Sequence, residues 1–228
     1  MPIETMEEQL RKRAAELGVT DIGFCQVEDG PLPYAISLVV RLSDAILDEI
    51  DTAPTHCYFH HYRTVNTFLD QSMLKLGFLL QEKGHAFYPI GASQSIPNGV
   101  DGFSARYSHK KCAVLAGLGF IGKSNLFLHH TYGPRVRLGT LFTDCPFPGE
   151  NATQISKCGN CSVCAQKCPA LALKNREYTC DLQTRDILDP AACSQYMKKN
   201  FQQIGRGAVC GICVKHCPYP LKQRQKSR

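Results

Sequence analysis

The sequence predicts an α+β fold in two successive parts, an α/β domain over residues 1–150 and a smaller cysteine-rich domain over residues 151–228. Three observations carry this prediction. Helix-like and strand-like apolar periodicities alternate through the first part. The segment Pro146-Phe147-Pro148-Gly149-Glu150-Asn151 has the composition of a linker, which puts the boundary near residue 150. Beyond it, seven of the 13 cysteines fall into two runs, Cys158-x2-Cys161-x2-Cys164-x3-Cys168-Pro169 and Cys210-x2-Cys213-x3-Cys217-Pro218, with Cys180 and Cys193 between them. A length of 228 residues suits two modest domains.

Taken in order, Glu4 to Leu17 places apolar residues at helical spacing and stops at Gly18, so it reads as a helix. Asp21 to Val27 and Ile36 to Leu42 read as strands separated by the turn-forming Asp29-Gly30-Pro31. From His56 to Lys83 the residues Val65, Phe68, Leu69, Leu76, Leu79 and Leu80 share one helical face, and Gly84 closes the pattern, which predicts one long helix backing the sheet. His85 to Ile90 reads as a strand. The irregular stretch Gly91 to Tyr107 is a candidate substrate pocket, because loops of this length and composition often line sites. Ser108 can cap a helix running through Cys112 to Gly117. Leu126 to Leu128 and Arg135 to Phe142 are expected to pair as a hairpin across Tyr132-Gly133-Pro134. In the second part, short helical pieces are expected after each cysteine run.

The first run has the spacing of a bacterial-ferredoxin-like two-cluster domain, in which three cysteines hold one cubane and the fourth, before proline, holds the other. The pairing predicts Cys158, Cys161, Cys164 and Cys217 as ligands of one 4Fe–4S cluster, and Cys168, Cys210 and Cys213 as ligands of a second. That second set is one ligand short. Cys193 and Cys180 are the candidates, and Cys193 is favoured because Asp189-Pro190 can start a helix that carries it, whereas Cys180 sits in a polar, loop-like stretch. A zinc ribbon is the competing use of the same cysteines, but zinc needs no Cys-Pro crossover. Disulfides fit neither the regular spacing nor the absence of a secretory signal. Cys25, Cys57, Cys112 and Cys145 stand singly and read as small buried hydrophobes.

Composition narrows the function classes. No segment offers about 18 uninterrupted apolar residues, so no membrane span is expected and the expected location is the cytoplasm. The formal charge of +6 counts cysteines as neutral. Two oxidised cubanes with their thiolates would lower it to roughly +2, which is weak support for a polyanionic partner. The basic tail Lys222, Arg224, Lys226 and Arg228 reads as a solvated terminus. Two nucleotide-loop readings of Gly117-Leu118-Gly119-Phe120-Ile121-Gly122-Lys123-Ser124 fail, since the Gly-x-Gly-x-x-Gly follows a helix and the Gly-Lys-Ser lacks the leading glycine of a phosphate loop.

That stretch, read as Ala116-Gly117-Leu118-Gly119-Phe120-Ile121-Gly122-Lys123 and followed by Leu138-Gly139-Thr140-Leu141-Phe142-Thr143-Asp144, resembles a segment of the epoxyqueuosine reductase family. These are cobalamin-dependent iron–sulfur enzymes of tRNA queuosine synthesis, also related to reductive dehalogenases. The resemblance continues through the first cysteine run, Asp189, Cys193 and Tyr196, and the closing run, over roughly residues 8–220. It implies a nitroreductase-like α/β domain that holds cobalamin base-off beside a cluster, and it supports Cys193 as the missing ligand. It also implies cofactor contacts from Gly117, Gly119, Gly122, Lys123 and Ser124, with Tyr62 and Arg63 as further candidates near a polar segment of the family. The glycines would let a large planar cofactor approach the backbone, and Lys123 would meet a propionamide or a phosphate.

The sequence also departs from the family. The place of its proton-donating aspartate is taken by Phe103, followed by Ser104-Ala105-Arg106. Asp101, Tyr107 and His109 are the remaining candidate donors. No helical-repeat extension follows Arg228, so tRNA is not carried over as the substrate, and a small molecule or modified nucleoside is expected. The expected activity is that of an oxidoreductase: electrons from a donor such as a ferredoxin or flavodoxin pass through two clusters to a corrinoid. The alternative is a ferredoxin-type electron-transfer protein that reduces a partner without bound corrinoid.

Overall fold

The computed structural model describes residues 4–94, 103, 105–147, 149 and 151–220. Two compact units emerge, each built from three stretches of chain. One takes residues 1–40, 65–118 and 137–153; the other takes 41–64, 119–136 and 154–228. The sequence-based division at residue 150 separates the cysteine runs from what precedes them, whereas the second compact unit also takes in two earlier stretches.

The first unit is a four-stranded sheet with helices. Helix α1 (Met6–Leu17) opens with a capping box between Thr5 and Glu8 and ends at Gly18, whose φ of 88° is the left-handed conformation that glycine tolerates best. Strands β1 (Asp21–Gln26) and β2 (Tyr34–Arg41) form an antiparallel hairpin with Asp21 opposite Val39 and Gln26 opposite Tyr34. Helix α2 (Asp44–Asp48) and the long α3 (His56–Glu82) follow, then strand β3 (Phe87–Ile90) and helix α4 (His109–Leu115). Strands β4 (Gly119–Ile121) and β5 (Phe127–His129) precede β6 (Val136–Thr143); α2, β4 and β5 fall in the second unit. The sheet order is β1-β2-β6-β3, with β3 antiparallel to β6.

Six consecutive buried residues in β2 and six in β6 show that the sheet is covered on both faces. Leu69, Met73, Leu76 and Leu80 of α3 are fully buried. Gly139 explains how closely α3 approaches β6, since a Cβ there would stand 3.0 Å from Met73 Sδ and 3.3 Å from Leu69 Cδ2. On β1, Gly23 plays the same part beneath the end of α4, where a Cβ would meet the Ala116 carbonyl oxygen at 2.8 Å.

The hairpin expected between 126–128 and 135–142 does not form. β5 pairs instead with β4, Gly119 opposite His129 and Ile121 opposite Phe127, while β6 is claimed by the main sheet. Strand β4 lies inside a glycine-rich segment that carries little strand propensity, and an eight-residue apolar β6 buries more surface inside a sheet than in a lone ribbon.

The cysteine-rich stretch forms α5 (Val163–Lys167), α6 (Thr184–Ile187), α7 (Pro190–Asn200) and α8 (Ile212–His216). The short helices α5 and α8 lie inside the cysteine runs rather than after them. Each starts within a run and ends at its Cys-Pro, with Cys168 and Cys217 as the capping residues. Proline explains the stop, because the residue before it disfavours helical geometry.

Candidate iron–sulfur centres

Helix α5 carries Cys164, α7 carries Cys193 and α8 carries Cys213. As the sequence reading expects, α7 begins at Asp189-Pro190, and the Asp189 carboxylate accepts a 2.9 Å bond from the Ala192 amide. Cys158 and Cys161 bracket a tight turn closed by a 3.1 Å bond from the Cys161 amide to the Cys158 carbonyl.

The thiols influence one another in two groups. Burial, and after it the charges of Cys158, Cys164 and Cys161, pushes the Cys217 thiol up to about 11. Cys164 is raised by burial, with Cys158 and Cys161 contributing. In the second set, burial, then Cys210, Cys168 and Asp189, pushes Cys193 up to about 11. Cys213 is raised by burial, then by Cys210, Cys193, Cys168 and Cys164, so it feels both sets. Raised thiols give up their protons more readily when a cation binds them, which is the chemistry that a metal centre on these residues would use. Cys180 is exposed, and among the described residues it joins neither set.

A single zinc would hold four thiolates at about 2.3 Å from one centre. Among the described residues, no three His, Cys, Asp or Glu side chains are grouped closely enough to hold one metal ion. In a cubane each thiolate binds a different iron, so its sulfurs stand farther apart while still interacting. The glycine segment packs closely on the first of these cysteines. A Cβ on Gly122 would lie 3.0 Å from Cys158 Sγ and 2.8 Å from Leu128 Cδ1.

Other candidate residues find structural employment. Gly117 has φ +73° at the turn that ends α4. Gly119 sits where a Cβ would be 2.1 Å from the Leu128 carbonyl oxygen across the β4–β5 pair. Lys123, 8% exposed, donates from Nζ to the carbonyls of Gly159 (2.6 Å) and Cys161 (3.3 Å), a use of this side chain that the sequence reading did not foresee. Ser124 is buried beside it. Tyr62 makes an edge contact with Tyr58, with ring centroids 6.2 Å apart, and the Arg63 guanidinium lies 5.5 Å from the Phe59 ring centre.

Among the proton-donor candidates, Asp101 lies outside the described residues, as do 95–100, 102 and 104 of the expected pocket. The Tyr107 hydroxyl donates to Asp29 at 2.7 Å, and Lys111 holds the same carboxylate at 2.6 Å. Burial first, then that bond, raises the Tyr107 phenol. His109 has both ring nitrogens engaged, with Thr140 Oγ1 at 2.8 Å and the Gly91 carbonyl at 3.2 Å, and burial lowers its pKa. Phe103 is 47% exposed. Of the single cysteines, Cys25, Cys112 and Cys145 are buried as expected, while Cys57 is exposed. The basic tail lies outside the described residues.

Two features of the second unit escaped the sequence reading. Arg135, its side chain 5% exposed, bonds Asp44 (3.1 Å) and Asp48 (2.9 Å) of α2, and Asp48 also accepts from Lys215 of α8 at 3.0 Å. The charged residues lie far apart in sequence, so no local pattern announces them. A pocket of about 330 Å³ is lined by Asp51, Thr52, Lys167, Pro169, Tyr196, Ile212 and His216, touching the three helices that carry Cys164, Cys193 and Cys213.

No protein-family model matches the chain. Among curated proteins it is 27% identical over 232 residues to the epoxyqueuosine reductase of Vibrio cholerae, an alignment that covers 94% of this chain and 55% of that one. It is 44% identical over 69 residues to the epoxyqueuosine reductase of Pseudomonas aeruginosa, covering 30% and 19%. The chain is similar to the epoxyqueuosine reductases. Similarity reaches 29% over 114 residues with the tetrachloroethene reductive dehalogenase of Sulfurospirillum multivorans, covering 47% and 22%. In fold, 93% of the chain superimposes on a catabolic reductive dehalogenase with a TM-score of 0.73, and on epoxyqueuosine reductase from Bacillus subtilis with 0.63, both at 17% identity and covering 31% and 64% of those chains. Another solved epoxyqueuosine reductase is in complex with an epoxyqueuosine-modified tRNA stem loop. The matches to these curated relatives span from 19% to 55% of their lengths.

Proposed function

We propose that this chain is an iron–sulfur oxidoreductase that passes electrons through two 4Fe–4S clusters to a corrinoid, for reduction of a small molecule or modified nucleoside. The observation that carries the reading is the spacing of the two cysteine runs, supported by mutual charge effects among Cys158, Cys161, Cys164 and Cys217 and among Cys168, Cys193, Cys210 and Cys213. Similarity to epoxyqueuosine reductases and the shared fold with reductive dehalogenases support a corrinoid-related reductase. The finer architecture we assign is a nitroreductase-like α/β part ahead of residue 150 and a bacterial-ferredoxin-like cluster part after it.

The chain's own residues do the following. The eight cysteines would hold the clusters, which would supply the one-electron steps. An electron donor such as a ferredoxin or flavodoxin approaches the cluster part, whose residues 151–228 carry 13 Lys and Arg against four Asp and Glu and so favour an anionic partner. The pocket lined by Pro169 and Ile212, chain neighbours of Cys168 and Cys213, is where we place its docking. A bound corrinoid would supply the metal centre that delivers electrons to substrate. Tyr107, whose hydroxyl donates to Asp29 beside Lys111, and His109 are the described residues we retain as proton-donor candidates.

One observation favours a second reading, a ferredoxin-type carrier without corrinoid. Gly117, Gly119, Gly122 and Lys123 all have backbone or packing duties that need no second cofactor. Anaerobic incubation with hydroxocobalamin followed by desalting separates the two. The leading reading expects a corrinoid absorption spectrum that stays with the protein, and complete loss of cobalamin to the small-molecule fraction contradicts it.

A further inference from the structure

We infer that the β4–β5 hairpin is the seat of the first cluster, and that Lys123 is a positioning residue whose charge sets that cluster's reduction potential. The inference rests on the reading of Cys158, Cys161, Cys164 and Cys217 as ligands of one cubane. Lys123 is more than nine-tenths buried, and its ammonium donates to the carbonyls of Gly159 and Cys161, inside the loop that bears two of those ligands. Among the described residues no carboxylate pairs with it. A buried cation met only by neutral carbonyls is costly, because carbonyl dipoles replace only part of the hydration it has lost. The missing counter-charge is what a cubane on these cysteines brings: four thiolates and the cluster together are anionic.

The rest of the hairpin is shaped for the same neighbour. Gly122 leaves open the space beside Cys158 Sγ. The Gln154 amide bonds both the N–H (2.9 Å) and the C=O (3.0 Å) of Ile121, tying β4 to the segment that leads into Cys158. After Cys217, Tyr219 packs edge-on against Phe120 with centroids 5.1 Å apart, and a Cβ on Gly133 would strike the Tyr219 carbonyl oxygen at 2.1 Å. The hairpin and its turn thus touch the chain on both sides of the ligand set.

Reduction adds one electron to the cubane and increases its negative charge. A fixed cation on the loop that bears two of the ligands stabilises the reduced form more than the oxidised one, so it raises the potential of the first cluster more than that of the second. The test is an anaerobic EPR redox titration, with dithionite as reductant, of the full chain and its Lys123→Met and Lys123→Arg variants after reconstitution with iron and sulfide. Lys123→Met is expected to shift one of the two centres to a more negative potential, and Lys123→Arg to return it toward the wild-type value. Two filled clusters with unchanged potentials in Lys123→Met would overturn the inference. If Lys123→Met instead loses about half its iron, recovery in Lys123→Arg supports the role of charge, and equal loss in both variants overturns it. A wild-type chain that never binds two clusters would overturn the cluster reading itself, and this inference with it.

Discussion

Cys193 and Cys180 are the two residues that could complete the second ligand set, and their surroundings differ. Cys193 rides on α7 with burial, Cys210 and Cys168 raising its thiol to about 11. Cys180 is exposed in a turn. Cys193→Ala is therefore expected to remove one of two low-potential EPR signals and about half the bound iron, while Cys180→Ala keeps both. Full iron in Cys193→Ala would move the ligand elsewhere. At this scale the sequence was most legible where local rules act, as at the Asp189-Pro190 start of α7 and the buried Cys25, Cys112 and Cys145. It was least legible for Lys123, Arg135 and the donor candidates. Nothing local tells a lysine that will bond two carbonyls 36 and 38 residues away from one that will meet a cofactor. His109 illustrates the same limit, because its two partners, Gly91 and Thr140, come from different loops and strands.

Among the elements, α1, β1, β2, α3 and α4 follow the apolar periodicity and the caps that the sequence displays, with Thr5, Gly18 and Ser108 as punctuation. The β4–β5 hairpin does not. Its strands have three residues each, and its identity rests on close backbone approach rather than on apolar alternation. Gly119 makes that approach possible, which gives a direct test. Gly119→Ala would push a Cβ to 2.1 Å from a backbone oxygen that cannot move without breaking the pair. It is expected to cost about 3 kcal/mol, the upper part of the usual overpacking range. Gly84→Ala, at φ +84° with open space around it, should cost only the left-handed strain of about 1–2 kcal/mol. Chemical denaturation of the two variants measures the difference, and equal losses would mean that the hairpin does not depend on that contact. Since the hairpin packs against the first ligand set, Gly119→Ala should also lower cluster content, whereas Gly84→Ala should not.

Across the whole molecule, charge and cysteine content divide the chain more sharply than folding does. Residues 151–228 hold nine of 13 cysteines and an excess of basic residues, while residues 1–150 carry 13 basic and 16 acidic side chains. The compact units nevertheless interleave, because stretches 41–64 and 119–136 join the cysteine-rich segment. Composition reveals the chemistry of a segment but not which distant stretches will pack on it. That is why spacing alone proposes a set of cluster ligands, while neither the hairpin nor the Arg135 network is announced by any local pattern. The overall fold is shared with reductive dehalogenases and epoxyqueuosine reductases at 17% identity, a level at which fold persists and substrate does not follow. The central claim is that eight cysteines hold two cubanes. Iron and acid-labile sulfide, measured together on anaerobically purified and reconstituted protein, test it most directly. The account predicts about eight of each per chain; about four of each, or zinc without sulfide, would contradict it.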